Sequence, residues 1–277
     1  MTGIAERNEP VATAPSGATG HLLALTDITK RFQTARADTL ALDDVSLEVR
    51  AREIVCIVGP SGCGKSTLLN IAAGIDAHFD GTATFEGEPI KGMARERAVV
   101  FQEPALFPWL NVRANVEFGL KLRGVPKADR TPIVDQQLAL VNLSKFDRAY
   151  IHELSGGMKQ RVQLARALAV EPHMLMMDEP FAALDAQTRD DLQLELQSVA
   201  GRIGATVLFV THNVREAVIL GDRVVVMSRG PGRVRRVIDI PLSRPRTPDD
   251  HDVADFAAMV RAELQESSSE AEPRYAI

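Results

Sequence analysis

Residues 59–67 read GPSGCGKST, with glycines spaced ahead of a lysine and two hydroxyls in the pattern G-x-x-x-x-G-K-[ST]. Such a run can cradle phosphate. Gly59, Gly62 and Gly64, with Pro60, Ser61 and Cys63 between them, let the backbone wrap closely so that its N–H groups face an anion. A helix starting there adds its positive dipole end. Lys65 would bridge the β and γ phosphates of a nucleoside triphosphate, and the Ser66 hydroxyl, with Thr67 beside it, would ligate Mg²⁺. A bare match also arises by chance, so the flanks matter: apolar EIVCIV precedes the run and helical TLLNIAAGI follows it.

Cleaving a phosphoanhydride needs a second metal contact and a group that orients water. MLMMDEP, residues 174–180, offers both. Its apolar part reads as a strand that delivers Asp178 and Glu179 at its carboxyl end, where parallel sheets bind ligands. Asp178 would hold Mg²⁺, directly or through water, and Glu179 would act as base or polariser. Taken alone, two adjacent acids could as well cap the next helix. His212 lies just past TVLFVT, where a neutral imidazole would donate to the γ phosphate. His21, His78, His152, His173 and His251 lack such a position and read as structural. Gln102 follows the strand-like RAVVF; its amide can ligate a metal through oxygen and also bond water, although spacing alone allows an ordinary loop glutamine.

A second stretch also seeks an anion. In ELSGGMKQR, residues 153–161, Ser155 is a good N-cap, and Gly156 and Gly157 leave backbone N–H groups uncovered. The helix they open has small or apolar residues at Met158, Val162, Ala165, Leu168 and Ala169, so a capped core helix is the plain alternative. No lysine follows its glycines at the phosphate-loop spacing.

These groups need a sheet to hold them. The continuous apolar runs EIVCIVG, HMLMMDE and ATVLFVTH, separated by helical text, predict an α/β core of parallel strands buried on both faces. Short β-like runs across residues 21–49 predict a small antiparallel sheet. Residues 104–154 read as an inserted helical subdomain, broken at Gly124, Pro126 and Pro132. Residues 1–20 predict a flexible arm ahead of a core spanning residues 21–240. Residues 241–277 predict a partly disordered extension ending in the polar, frayed ESSSEAEPRYAI.

The composition fits a globular protein: 277 residues, 45% of them hydrophobic and 25% charged. A net charge of −5 argues against nucleic acid as the main partner, because phosphate neutralisation needs clustered Lys and Arg. Two cysteines, Cys56 and Cys63, make neither a disulfide framework nor a zinc pattern, and point to a reducing compartment. No run reaches the roughly 18 apolar residues of a membrane span, so a membrane role would be peripheral.

In order along the chain, GPSGCGKST, ELSGGMKQR, MLMMDE, AALD and THN resemble the Walker A, signature, Walker B, D-loop and H-loop motifs of ABC-type ATPases. Gln102 falls where that family carries its Q-loop. The resemblance runs from about residue 22 to residue 240. It implies a P-loop fold with a mainly parallel core sheet flanked by helices, an antiparallel β subdomain and an inserted helical subdomain, binding ATP and Mg²⁺. It also implies two cassettes paired head to tail, so that Ser155, Gly156 and Gly157 contact the γ phosphate held by the partner subunit's Lys65. Asp185, in AALD, would lie at the seam.

Three positions depart from the family pattern. Phe32 stands where a tyrosine usually stacks on adenine; the π face survives without the hydroxyl. Arg52 replaces a common glycine, so a locally different turn is expected. Cys63 occupies a variable loop position beside Lys65, which implies an alkylation-sensitive thiol that ATP protects. Cys56 reads as a small core residue.

Lys65 and Ser155 are 90 residues apart, too close for the long coiled coil of the DNA-repair and chromosome-structure members. Each motif occurs once, unlike the tandem-cassette translation factors. Only 65 residues follow His212, too few for the large regulatory domain of some sugar importers. FQEPALFPWLNVRANVEFGL and MSRGPGRV resemble the ATPase subunits of nitrate, sulfonate and taurine importers. That resemblance implies a peripheral subunit on the cytoplasmic face of the cell membrane, driving uptake through a separate permease fed by a solute-binding protein. The alternative is a soluble ABC ATPase with a regulatory or assembly role. Leu106, Phe107, Pro108, Trp109 and Leu110, just past Gln102, would form the permease contact, unless Trp109 packs within the helical subdomain.

Overall fold

The computed structural model describes residues 20–34 and 37–269. The expected N-terminal arm lies outside the described residues except for Gly20. Two long strands, β1 (His21–Thr34) and β2 (Ala37–Arg50), pair antiparallel through repeated register shifts. The chain then enters β3 (Ile54–Val58), buried at every position. Ile54, Cys56 and Val58 face one apolar layer, and Val55 and Ile57 face the other, the alternation of a strand enclosed on both sides. Helix α1 (Lys65–Ala73) ends on the left-handed Gly74. β4 (Asp80–Phe85) and β5 (Glu88–Pro89) complete an antiparallel sheet of order β2-β1-β4-β5.

Beyond β6 (Arg97–Val100) lie the helices α2 (Val112–Leu122), α3 (Lys127–Leu140) and α4 (Gly156–Ala169). Gly124 and Pro126 do separate α2 from α3, but Pro132 lies inside α3. Val134 and Leu138 bury themselves on its far side, and that packing carries the helix past the backbone donor the proline lacks. α2 and α3 pack on α4 in the same apolar cluster, so the helical layer continues beyond the sequence boundary at Leu154.

The remaining elements are β7 (Met174–Asp178), α5 (Ala186–Ile203), β8 (Thr206–Thr211), α6 (Val214–Leu220), β9 (Arg223–Met227), β10 (Val234–Asp239) and α7 (His251–Ser269). The second sheet has the order β10-β9-β3-β8-β7-β6, all parallel except β10 at the edge. Five carboxyl ends therefore share one rim. Val207, Leu208, Phe209 and Val210 of β8 are fully buried at its centre, each contributing about 1.5–3 kcal/mol relative to exposure.

The structure bears on two sequence expectations. Arg52 takes φ 64°, the left-handed conformation that glycine favours, and its N–H donates to Thr206 Oγ1 at 2.9 Å. The extension beyond residue 240 contains the 19-residue α7, whose Val253, Ala257 and Val260 are buried, and the first residues of ESSSEAEPRYAI continue that helix to Ser269. Its last eight residues lie outside the described region. Buried Arg246 ties this segment to the core, its guanidinium donating to the carbonyls of Val218, Gly221, Ile240 and Leu242. Among the described residues no helix is long and apolar enough to cross a membrane.

Candidate active site

β3 runs into the 59–67 loop and α1 leaves it, as the flanking text predicts. Gly64 takes φ 91°, and a Cβ there would meet Leu42 Cδ2 at 2.5 Å, so only glycine lets β2 press this close. Lys65 is buried, and its ammonium donates to the carbonyls of Gly59 at 2.9 Å and Pro60 at 3.1 Å. Ser61, Gly62 and Ser66 are exposed, while Pro60, Gly64 and Thr67 are partly so. Cys63 points inward. Its thiol is buried, 3.9 Å from the Lys65 ammonium, and burial pushes its pKa up despite that charge. This burial argues against the alkylation-sensitive thiol expected from sequence, because the thiolate is the reactive form.

The neighbouring strand ends bring the acids and the imidazole to the same rim. Thr211 is in register with Val58, and Asp178 with Val210. Ser66 Oγ donates to Asp178 Oδ1 at 3.0 Å, joining groups 112 residues apart. Burial raises the Asp178 pKa, the Ser66 hydroxyl opposes that rise, and the charge of Glu179 adds to it. Glu179 takes φ 44°, a conformation costing a non-glycine residue on the order of 1–3 kcal/mol, and its N–H donates to Val210 O at 2.9 Å.

His212 Nδ1 lies 2.8 Å from Glu179 Oε2. The two groups are at hydrogen-bonding distance, and the imidazole tautomer sets which of them donates, leaving Nε2 on the far side of the ring.

The other candidates are less tightly assembled. Gln102 is exposed two residues beyond β6; its carbonyl accepts from Gln160 Nε2 at 2.9 Å, and its side chain has no bond among the described residues. Phe32 is 42% exposed, with the Lys30 ammonium 4.9 Å from its ring centroid. Ser155 Oγ accepts from the Met158 N–H at 3.3 Å and caps α4, as predicted. Gly156 and Gly157 open that helix against Leu184 and Thr188, at the start of α5. Asp185 caps α5, accepting from the Thr188 N–H at 3.0 Å, and those bonds hold its carboxyl below the usual range. Among the described residues no hydrogen bond joins residues 155–157 to residues 59–67.

A family model described as ABC transporter matches residues 42–182, from β2 through the phosphate loop to just past Glu179. The chain belongs to the ABC transporter family. It is an ATPase of the ABC type, and its fold is that of an ABC cassette. An uncharacterized ABC transporter ATP-binding protein of Methanocaldococcus jannaschii is 48% identical over 81% of this chain and 84% of its own length. A taurine import ATP-binding protein of Roseobacter denitrificans is 44% identical over 80% of this chain and 83% of its own length. A nitrate import ATP-binding protein of Synechocystis is 44% identical over 79% and 83%. Among solved structures, a dimeric bacterial ABC transporter cassette superposes with TM-score 0.71 at 30% identity, over 80% of this chain and all of that one. A dimeric post-hydrolysis cassette bound to ADP and Pi gives TM-score 0.70 at 29% identity, with the same coverage.

Some residues around the ABC site escaped the sequence reading. Gln160 and Arg166 of α4 hold the backbone after β6, Arg166 through Ala105 O at 2.6 Å. Arg189, Gln193 and Glu216 form a polar group behind His212. Their only sequence signal is helical spacing, which does not say what a polar residue faces.

Proposed function

We propose that this ABC ATPase is the energising subunit of an importer, working as a head-to-tail pair of identical chains on the cytoplasmic face of a cell membrane and docked to a separate permease. The observation that carries the reading is the separation within one chain. Lys65, Ser66, Asp178, Glu179 and His212 share one sheet rim, whereas among the described residues Ser155, Gly156 and Gly157 make no hydrogen bond to residues 59–67. A second copy would supply the missing anion contacts, and the dimeric cassettes that this chain resembles support that arrangement.

The residues suit ATP with Mg²⁺. A hydroxyl and a carboxylate already converge at Ser66 and Asp178, the oxygen donors a hard cation takes. Gln102 would add an amide oxygen from the adjacent strand end. Mg²⁺ held there would offset charge building on the phosphoryl oxygens. Lys65 would exchange the carbonyls of Gly59 and Pro60 for phosphate oxygens, and the free face of Phe32, opposite Lys30, would receive adenine. Glu179 would take the proton of the attacking water, held in place through its bond to His212 Nδ1. His212 Nε2 would then donate to the transferring phosphoryl oxygens.

The import role draws on the relatives named for taurine and nitrate import, and on the loop after Gln102. There Leu106 is buried and Phe107 packs on Phe118 at 4.3 Å between centroids, but Trp109 is 71% exposed. Asn115 fixes the loop, accepting from Phe107 N–H and donating to the carbonyls of Phe107 and Leu110. A rigid loop with an exposed tryptophan suits permease docking. The solute would be small, such as nitrate, a sulfonate or taurine, delivered by a solute-binding protein. Adjacency of this gene to a permease gene, and co-expression with that permease, test the reading: the chain should be recovered with membranes. Recovery in the soluble fraction alone, with turnover indifferent to the permease, would favour the soluble regulatory role.

A further inference from the structure

Beside the Glu179–His212 pair lies a cavity of about 40 Å³ whose walls include Glu179, Arg189, His212 and Glu216, room for a single water. Glu216 belongs to none of the motifs, yet it is buried on α6, one turn past His212. Its Oε1 accepts from Gln193 Nε2 of α5 at 3.3 Å, and the Thr211 hydroxyl and the Arg189 charge pull against the burial of its carboxyl. Arg189 and Gln193 share one face of α5. The Arg189 guanidinium donates onward to the carbonyls of Leu184 at 2.8 Å and Phe181 at 3.4 Å, in the loop that ends at Asp185. On the other side, Asn213 Oδ1 accepts from the Glu216 N–H while the Asn213 N–H donates to Thr211 Oγ1, which fixes the turn containing His212. Glu216 thus ties the His212 turn to α5 through Gln193, one turn along α5 from the Arg189 that holds the Asp185 loop.

We propose that Glu216 is a positioning residue for ATP hydrolysis, locking the turn that carries His212 to the helix that follows Asp185 so that the hydrolytic pair and the seam loop keep one geometry. The proposal rests on the reading of Glu179 and His212 as the hydrolytic pair. Arg189 and Gln193 face Glu216 from α5, Thr211 and His212 from the end of β8, Cys56 from β3, and Glu179 across the cavity. Burial raises the Glu216 pKa against the opposing pull of Thr211, Arg189, Gln193 and His212, and a glutamine would keep an acceptor oxygen toward Gln193 at the same size.

The test compares Glu216→Leu, Glu216→Gln and Glu179→Gln in the purified full chain, measuring kcat and KM for Mg·ATP together with thermal melting. Glu216→Leu should lower kcat at least tenfold with KM within threefold, and Glu216→Gln should keep at least half of the parent kcat. The idea is overturned if Glu216→Leu stays within twofold of the parent, if KM changes in step with kcat, or if Glu216→Gln is as impaired as Glu216→Leu. Should Glu216→Leu not fold, Gln193→Leu breaks the same bridge from α5 and is judged by the same criteria. Turnover by Glu179→Gln would remove the hydrolytic-pair reading itself. Turnover lost there but kept in Glu216→Leu sinks this inference alone.

Discussion

Glu179 Oε2 and His212 Nδ1 meet at 2.8 Å across the ends of the adjacent strands β7 and β8, although 33 residues of chain separate them. The left-handed backbone at Glu179 turns its carboxylate toward that partner at an energetic cost, and such strain gathers where function needs a fixed geometry. Glu179→Gln should bind ATP, accumulate as a closed dimer on size-exclusion chromatography, and lose roughly 10²–10⁴-fold in kcat, the usual contribution of a general base. Near-normal turnover would remove Glu179 from its role.

Ser155 caps α4 without touching its own phosphate loop. In mixed dimers, Ser155→Arg in one chain should impair the ATP held by the Lys65 of the unaltered chain. Pairing each variant with Lys65→Ala in one subunit or the other, then measuring residual turnover, locates the defect. A defect confined to the altered chain's own nucleotide would refute the head-to-tail pairing.

Cys63 is buried and its thiol is pushed up in pKa, so the reactive thiolate is scarce in the folded chain at pH 8. Iodoacetamide should label it at least a hundredfold more slowly in the native protein than in urea, with or without ATP. Fast labelling that ATP suppresses would restore the sequence expectation.

Arg52 holds φ 64°, which costs a non-glycine residue roughly 1–2 kcal/mol. Arg52→Gly keeps the bond from its N–H to Thr206 Oγ1 and relieves the strain, while the freer unfolded chain takes back part of the gain. Urea unfolding should show a rise of about 0.5–1 kcal/mol. A loss of stability would mean that the arginine side chain contributes more than its backbone costs.

Trp109 is exposed on a loop whose base is held by Asn115. Trp109→Ala should leave melting temperature and ATP affinity unchanged while reducing co-purification with the permease severalfold. Full assembly and transport by that variant would sink the docking role.

The sequence was most legible where covalent spacing itself makes the chemistry. The 59–67 loop, the N-cap at Ser155 and the strand-end position of Asp178 are local, and local hydrogen bonding builds them. Apolar runs fixed the buried strands because a strand covered on both faces has nowhere to put a polar side chain. The direction of Cys63 was not legible, since one loop position can point to ligand or to core, and packing against Gly59 and Met227 chose the core. Nor was α7, whose small buried face emerges against α6, β9 and β10.

By itself, then, the amino-acid order determined the phosphate loop, the acids at a strand end, the capped second glycine run and the α/β class. Only the tertiary structure decided that Ser66 meets Asp178, that His212 binds Glu179 through Nδ1, and that Glu216 bridges two helices from a buried position. Those pairings depend on strand order and register, which neighbouring residues along the chain do not encode. They arise when whole apolar faces pack and carry distant polar groups into bonding distance.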